Sequence, residues 1–599
     1  MGLKKFYPAI NYTARDFNSI KQELVDYAKR YYPDSFKDFS EAGFGSLMLD
    51  TTAYIGDILS FYLDYSANES FLDTALEYEN VLKLGRQMGF RFNGSPSSAG
   101  IVNFYIIIPA NASGQGPDTD YIPTLKRGTS LASLNAAAFI LNEDVDFSNA
   151  ANEVVVARAN EDTGVPTHYA IKTSGQVLSG EIREETIEAG SFEKFKRIEL
   201  SNENITEVIS VLDSDGHEYF QVDYLSQDVI FKAVTNRAAS KNRAVSVLKP
   251  IVVPRRFVVE RRRNTTFLQF GFGSEKSTTA DPIIDPATTA LNFHARNYVT
   301  ETSFDPANLL GSDKLGMSPA DTKLRIVYRA NNVDTVNVGA GNLTNVTDPI
   351  FQFDDFFNLD QVKASDVKSS LEVSNDSPIS GDVTLPTAQE LKIRIFDTFA
   401  AQNRGVTAQD YRALSYQMPP EFGAVKRVNI YRDADSMKRN LNLYVISEDP
   451  DENLETTNLV IKQNLKTWLN RSRMINDTID ILDTKIVNIG VEFVVVGDSE
   501  SNKHQVLSDA VDMLSAAYKQ KFEIGEPFFI TDVYSTLNDV PGVVDTVHVK
   551  VIQKKGGLYS STFFDLDSAT SPDGRYVNVP QNVILEIKFP ETDMIGSIK

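Results

Sequence analysis

Side chains that do chemistry are sparse in this sequence and badly spaced for it. The five histidines, His168, His217, His294, His504 and His548, stand so far apart that the closest two are separated by 44 positions. There is no cysteine, so the sequence-local Cys/His spacings of zinc sites cannot be built. Asp213-Ser-Asp-Gly-His-Glu218 has some of the look of a calcium loop. It lacks the third acidic ligand before the glycine and a bidentate glutamate at the right distance. It reads instead as a hairpin turn between strands at 208–211 and 219–222, since Asp and Gly are standard turn residues. Gly271-Phe-Gly273 leaves a predicted strand with neither the third glycine nor the helix of a dinucleotide loop. No phosphate loop ending in Gly-Lys-Ser/Thr occurs, and no Gly-x-Ser-x-Gly elbow. Among 81 Asp and Glu residues, none is framed as a catalytic pair with an aromatic sugar platform. The expectation is a protein with no catalytic, cofactor-binding or metal-binding residue, and hence not an enzyme.

Two stretches point to binding instead. Arg255, Arg256, Arg261, Arg262 and Arg263 form the one basic cluster. On a strand Arg255, Arg261 and Arg263 share a face with Phe257 and Val259, and Arg256 and Arg262 take the other. A nucleic-acid platform wants interleaved aromatics and a wider basic surface. In a chain of net charge −22 and pI ≈ 4.8, a patch contacting acidic neighbours of the same assembly is the better reading. The second stretch is 46–66. Asp50, Asp57 and Asp64 recur every seven residues, which on a helix makes one narrow polar stripe. Nearly everything else there is apolar or aromatic, so the helix must be packed on most sides. It is too polar and too near charged flanks to cross a membrane. Leu47, Tyr54, Ile58, Phe61, Tyr62 and Tyr65 are the expected interface residues.

The elements that position these stretches follow from length and periodicity. A chain of 599 residues holds roughly three to five domains at ~100–200 residues each. Its 42% hydrophobic content is enough for real cores. Without disulfides, stability rests on burial and subunit contacts. No signal-peptide core and no apolar run of ~18 residues appears, so a soluble chain made in a reducing cytosol is expected. Residues 13–92 read as helical, with a capping cluster at Thr13–Asp16 and a third helix near 74–84. The period then changes to that of strands, as in Ile101–Ile108, and short strands and turns run to about 385. Residues 386–418 turn helical again. From 424 strands (425–431, 440–447, 479–482, 489–496, 543–551) alternate with helices (456–470, 503–521, 531–538), the order of α+β units. The predicted fold is therefore α+β and multidomain: an N-terminal helical region over 1–100, a β-rich middle over 101–385, a helical connector over 386–423, and C-terminal α+β domains over 424–599.

The order of motifs resembles the baseplate J-like wedge proteins of contractile-tailed bacteriophages, nearest to the inner-ring wedge subunit of T-even-type phages. Four places carry the resemblance. The first is Phe44-Gly-Ser-Leu-Met-Leu-Asp50 with its aromatic helix, then Leu84-Gly-Arg-Gln-Met-Gly-Phe90 leading into Pro-Ser-Ser-Ala-Gly. The second is Ile122-Pro123 with Arg127-Gly-Thr129, Phe139 and Asp144-Val145. The third is Phe267-Leu-Gln-Phe-Gly-Phe-Gly-Ser274. The fourth is Ala401-Gln-Asn-Arg-Gly-Val-Thr-Ala-Gln-Asp-Tyr411, then Ile524-Gly-Glu-Pro527 and Val540-Pro-Gly-Val-Val544. The sequence departs from the family at Ser380-Gly-Asp382, where relatives often carry a Gly-Gly pair, and over 280–350, which matches no part of the pattern. The resemblance implies a structural virion protein of the tail baseplate, assembled in the host cytoplasm, with no active site. It implies that two copies in different conformations join a different wedge protein through a bundle of N-terminal helices. Six such wedges would close into a ring, beside sheath-initiator and hub proteins, with no nucleic acid and no membrane as partner. The competing expectation is a carbohydrate-binding or hydrolytic tail-fibre protein, which the β-rich middle would suit. Fibres usually show repeats and a trimeric stalk pattern, and this chain shows neither.

Overall fold

The computed structural model describes residues 15–32, 43–111, 115–161, 163–235, 246–262, 265–274, 315–333, 336–353, 359–381, 383–432, 440–449, 451–498, 501–518 and 522–599. The chain divides into two compact units, Met1–Arg91 with Pro386–Phe399, and Phe92–Leu385 with Ala400–Lys599. The expected connector at 386–423 is thus split. Its first helix goes with the N-terminal helices, and its remainder goes with the strands.

The first unit is helical. α1 (Phe17–Tyr31) begins at Asp16, whose carboxylate accepts from the Ser19 amide at 3.1 Å. This N-cap satisfies one of the amides that a helix start leaves unpaired. α2 (Phe44–Asn68) is the long aromatic helix. α3 (Tyr78–Gln87) buries Val81, Leu82 and Gly85. After α4 (Gln361–Ser369), which lies in the second unit, α5 (Ala388–Ala401) brings the buried Leu391 and Ile395 into the first. A Cβ at Gly85 would lie 2.6 Å from Ile395 Cδ1, so only glycine lets α3 and α5 approach this closely.

The second unit holds four larger sheets. In the first, strands run in the order Leu343–Asp348, Ser130–Ser133, Ala138–Leu141, Pro166–Ser179, Ala99–Pro109 and Glu372–Ser374, with Glu153–Ala159 also paired to Pro166–Ser179. Alternation in Ala99–Pro109 turns Val102, Phe104, Ile106 and Ile108 into the core, as the two-residue period of a strand requires. The second sheet runs Glu181–Glu188, Lys323–Ala330, Ile205–Leu212, Glu218–Gln221, Arg256–Arg261, Thr266–Phe270 and Arg197–Glu199. In the third, Leu441–Glu448 pairs antiparallel with Arg427–Arg432 and parallel with Ile479–Asp483. It shares a core with α6 (Ala408–Tyr416) and α7 (Leu459–Leu469). In the fourth, Lys485–Gly497 pairs antiparallel with Val543–Gln553 and parallel with Val583–Glu586 and Met594–Ile598, packed on α8 (Lys503–Ala517) and α9 (Ile530–Asn538). The predicted class holds: helices first, a β-rich middle, then mixed α and β. The middle and the C-terminal part are not independent, however. Ala99 and Leu178 of the first sheet are buried in one core with Leu443 and Val445 of the third and Ile461 of α7.

Candidate assembly interface

α2 inverts the usual surface helix. Two carboxylates of its acidic stripe, Asp50 and Asp64, pair with cations at or just before α1, and these pairs stay partly open to water. Lys21 Nζ lies 2.7 Å from Asp50 Oδ1, and Arg15 Nη1 lies 3.0 and 3.1 Å from the two Asp64 oxygens. Between these pairs a Cβ on Gly56 would sit 3.3 Å from the Ile20 side chain, so the antiparallel helices touch closely at that point. Most of the apolar remainder of the helix points outward. Only Ser46 and Ala53 of this 25-residue helix are buried. Leu47 is 60% exposed, Phe61 65% and Leu63 70%. Phe44, Met48, Tyr54, Ile55, Leu59 and Tyr62 are also exposed.

The six expected interface residues can now be placed. Leu47, Tyr54, Phe61, Tyr62 and, least of them, Tyr65 are exposed. Ile58 is half-buried. Phe61 and Tyr65 stack with ring centres 6.2 Å apart, and Phe61 meets Tyr62 edge-on at 5.9 Å. Burial, then the Glu77 and Glu69 carboxylates, raise the Tyr65 phenol above its ordinary value. Glu69 orders the turn after α2 by accepting from the Leu76 amide at 2.7 Å and from Asn80 Nδ2 at 2.9 Å. Those backbone and side-chain bonds lower its pKa. Sequence reading missed two parts of this surface. Ile393, Phe396 and Phe399 of α5 are exposed in the same unit, and their apolar run was legible, but not which side would be covered. Arg15 and Lys21 as partners of the acidic stripe were also missed. Their signal was a pair of cations on the helix preceding a heptad of aspartates.

Of the arginine cluster, Arg256 is buried and Arg261 half-buried, and both spend hydrogen bonds inside the chain. Arg256 is buried, donating Nε to the Leu225 carbonyl at 2.7 Å and Nη1 to the Val253 carbonyl at 2.8 Å. Desolvation lowers its pKa despite the nearby Asp228 carboxylate. Arg261 donates Nη2 to the Thr206 carbonyl at 2.8 Å, and burial lowers it to about 10 against the opposing pull of Glu421 and Glu207. Arg329 joins this group. It is buried, 3.2 Å from Glu207 Oε2, and donates to Ser97 Oγ at 2.8 Å. Burial raises Glu421 in the same group. Buried cations must find carboxylates and carbonyls, and here these come from the chain itself. Arg255 Nε is 4.0 Å from Asp213 Oδ2, and Arg262 lies over the Phe267 ring at 4.9 Å. Arg263 lies outside the described residues.

The Asp213–Glu218 stretch is the hairpin turn, with Val211 opposite Tyr219 and Leu212 opposite Glu218. Ligand atoms of Asp213, Asp215 and His217 lie within 4.8 Å of one another. Asp213 Oδ1 is engaged by the Asp215 and His217 amides at 3.0 and 2.8 Å, which is how an aspartate closes a turn. Among the described residues no helix is long and apolar enough to cross a membrane.

Residues 16–87 match the family model of the bacteriophage baseplate protein, N-terminal domain. That span covers α1, α2 and α3, and so includes the exposed apolar face of α2. No curated protein matches the chain. Among solved structures, the chain is similar to one in the baseplate of the anti-feeding prophage, at 11% identity and a TM-score of 0.24, over 96% of this chain and 99% of that one. It is also similar to a chain of the type VI secretion system TssK-TssF-TssG baseplate subcomplex, at 8% identity and a TM-score of 0.25, over 74% of this chain and 96% of that one.

Proposed function

We propose that this chain is a structural, non-enzymatic subunit of a contractile-tail baseplate wedge, and that α2 is the seam through which it joins its partners. The single observation that carries the reading is the exposure of α2: a 25-residue helix with only Ser46 and Ala53 buried leaves a row of large apolar and aromatic side chains in water, a surface that a partner would cover. The baseplate N-terminal domain match over the same helices supports it. In this reading two copies of the chain and one copy of a different wedge protein pool their N-terminal helices into a bundle. Six such wedges then close into a ring in the virion tail, next to sheath-initiator and hub proteins, after assembly in the host cytoplasm. Fully burying an apolar side chain contributes ~1.5–3 kcal/mol. The α2 side chains are already partly covered, so five or six of them contribute about 1–2 kcal/mol each, roughly 5–12 kcal/mol in all, which is of the same order as an association cost of ~4–15 kcal/mol. The test is co-expression with the neighbouring tail gene products, followed by affinity capture and electron microscopy. Stable hetero-complexes that assemble into six-fold rings are expected. A chain that stays monomeric and captures none of them would end the proposal.

A further inference from the structure

The strands Val229–Thr235 and Ser246–Val252 pair with one another and, among the described strands, with no third. A two-stranded hairpin is marginally stable at best in water. Its register puts Val229 across from Val252 and Phe231 across from Pro250 on one face, with Leu248 on the same side. That face is open: Phe231 is 68% exposed, Leu248 65% and Val252 63%. The other face sets Lys232 directly across from Lys249, both exposed. Like charges directly opposite each other destabilise a strand pair. Neither lysine has a carboxylate partner among the described residues, and Lys232 Nζ lies 5.9 Å from the Phe220 ring centre. The chain as a whole carries 59 basic against 81 acidic residues.

We propose that this strand pair is a docking arm for a second copy of this chain, its Phe231–Leu248–Val252 face seated on apolar surface of the neighbour and Lys232 and Lys249 meeting the neighbour's carboxylates. Two copies of so acidic a chain repel each other over most of their surfaces, and opposite charge decides which surfaces meet. The arm offers a copy the reverse sign together with apolar area to bury. A face with Phe231 as its single aromatic ring among Leu, Val and Pro gives nucleic acid no row of rings to stack on, which makes a protein the better occupant. The inference goes beyond the wedge reading and does not depend on it.

The test uses the full chain with p-benzoyl-phenylalanine incorporated in place of Phe231, which keeps an aromatic ring on the face. Irradiation is expected to give a product of twice the 66.6 kDa chain mass, with both cross-linked peptides from this chain. Lys232→Glu with Lys249→Glu should lower its yield at least about tenfold, and high salt should lower it as well. Circular dichroism should stay unchanged, because both lysines are exposed. The cross-link should persist in the Phe61→Asp variant, so that failure of the α2 seam and failure of the arm are separate results. Absence of a self-cross-link overturns the proposal. So does a cross-link that the Glu variants leave intact, or an arm that is captured only by phosphatidylglycerol vesicles or only by duplex DNA.

Discussion

Phe61→Asp separates the cost of a change to the free chain from its cost to the assembly. Phe61 is 65% exposed on α2, so in the isolated chain the substitution removes little buried area. Changes at such surface positions usually stay within about ±0.5 kcal/mol. In a bundle that covers this face the aromatic burial is lost, ~1–2 kcal/mol for about two thirds of a phenyl group. An unpaired carboxylate is also stranded, at ~3–5 kcal/mol. The sum is about 4–7 kcal/mol, or roughly a thousandfold to a hundred-thousandfold in affinity at 1.4 kcal/mol per factor of ten. Ile58 is a poorer choice, because it is half-buried in the free chain and its substitution would confuse folding with binding. The assay is affinity capture of the neighbouring tail proteins by wild-type and variant chains, with thermal melts of each chain alone. The expected outcome is matched melts and lost capture. Matched melts with capture at wild-type affinity would refute the reasoning.

Other substitutions probe the frame around that face. Gly85→Leu should lower the unfolding midpoint through a clash with Ile395 worth ~1–3 kcal/mol, and adding Ile395→Ala should recover part of it in denaturant titrations. Arg329→Met leaves Glu207 without its buried partner and should cost ~3–5 kcal/mol. Arg325→Met breaks the exposed pair with Glu184 and should cost less than about 1 kcal/mol, so urea midpoints should separate the two. Tyr518 is pushed up to about 12 by burial and then by Asp532. The unfolded phenol ionises first as pH rises past its ordinary value, so stability should fall between about pH 10 and 12, and Tyr518→Phe should flatten that fall in melts across the range. Chelation by EDTA should leave the melting temperature unchanged if Asp213, Asp215 and His217 serve only the turn. A drop of more than ~10 °C would reveal a structural metal.

The helices and most strands were legible because each segment carries its own period. Asp16 as a cap, the alternation in Ile101–Ile108 and the hairpin at Asp213–Glu218 depend on neighbours in sequence. What was not legible depends on distant partners. The heptad of aspartates on α2 was legible as a polar stripe, but not that Arg15 and Lys21 pair with Asp64 and Asp50. The arginines at 255–263 looked like a surface patch, because nothing in a linear sequence shows that Thr206, Glu207 and Leu225 lie beside them. The C-terminal region read as separately folding units, yet Ala99 and Leu178 complete one of its cores. Removing 423–599 would therefore open a core of the second unit rather than cleanly subtract a domain. The apolar face of 46–66 was legible as needing cover, and in the structure Leu47, Tyr54, Phe61 and Tyr62 stand exposed.

The central claim is that α2 is a seam between chains. Its most direct test is cryo-electron microscopy of the complex formed with the neighbouring tail gene products. The account predicts Leu47, Tyr54, Phe61 and Tyr62 packed against helices of another chain, with the Lys21–Asp50 and Arg15–Asp64 pairs still in place. A complex in which those four side chains face solvent, with the partners held elsewhere, would contradict it.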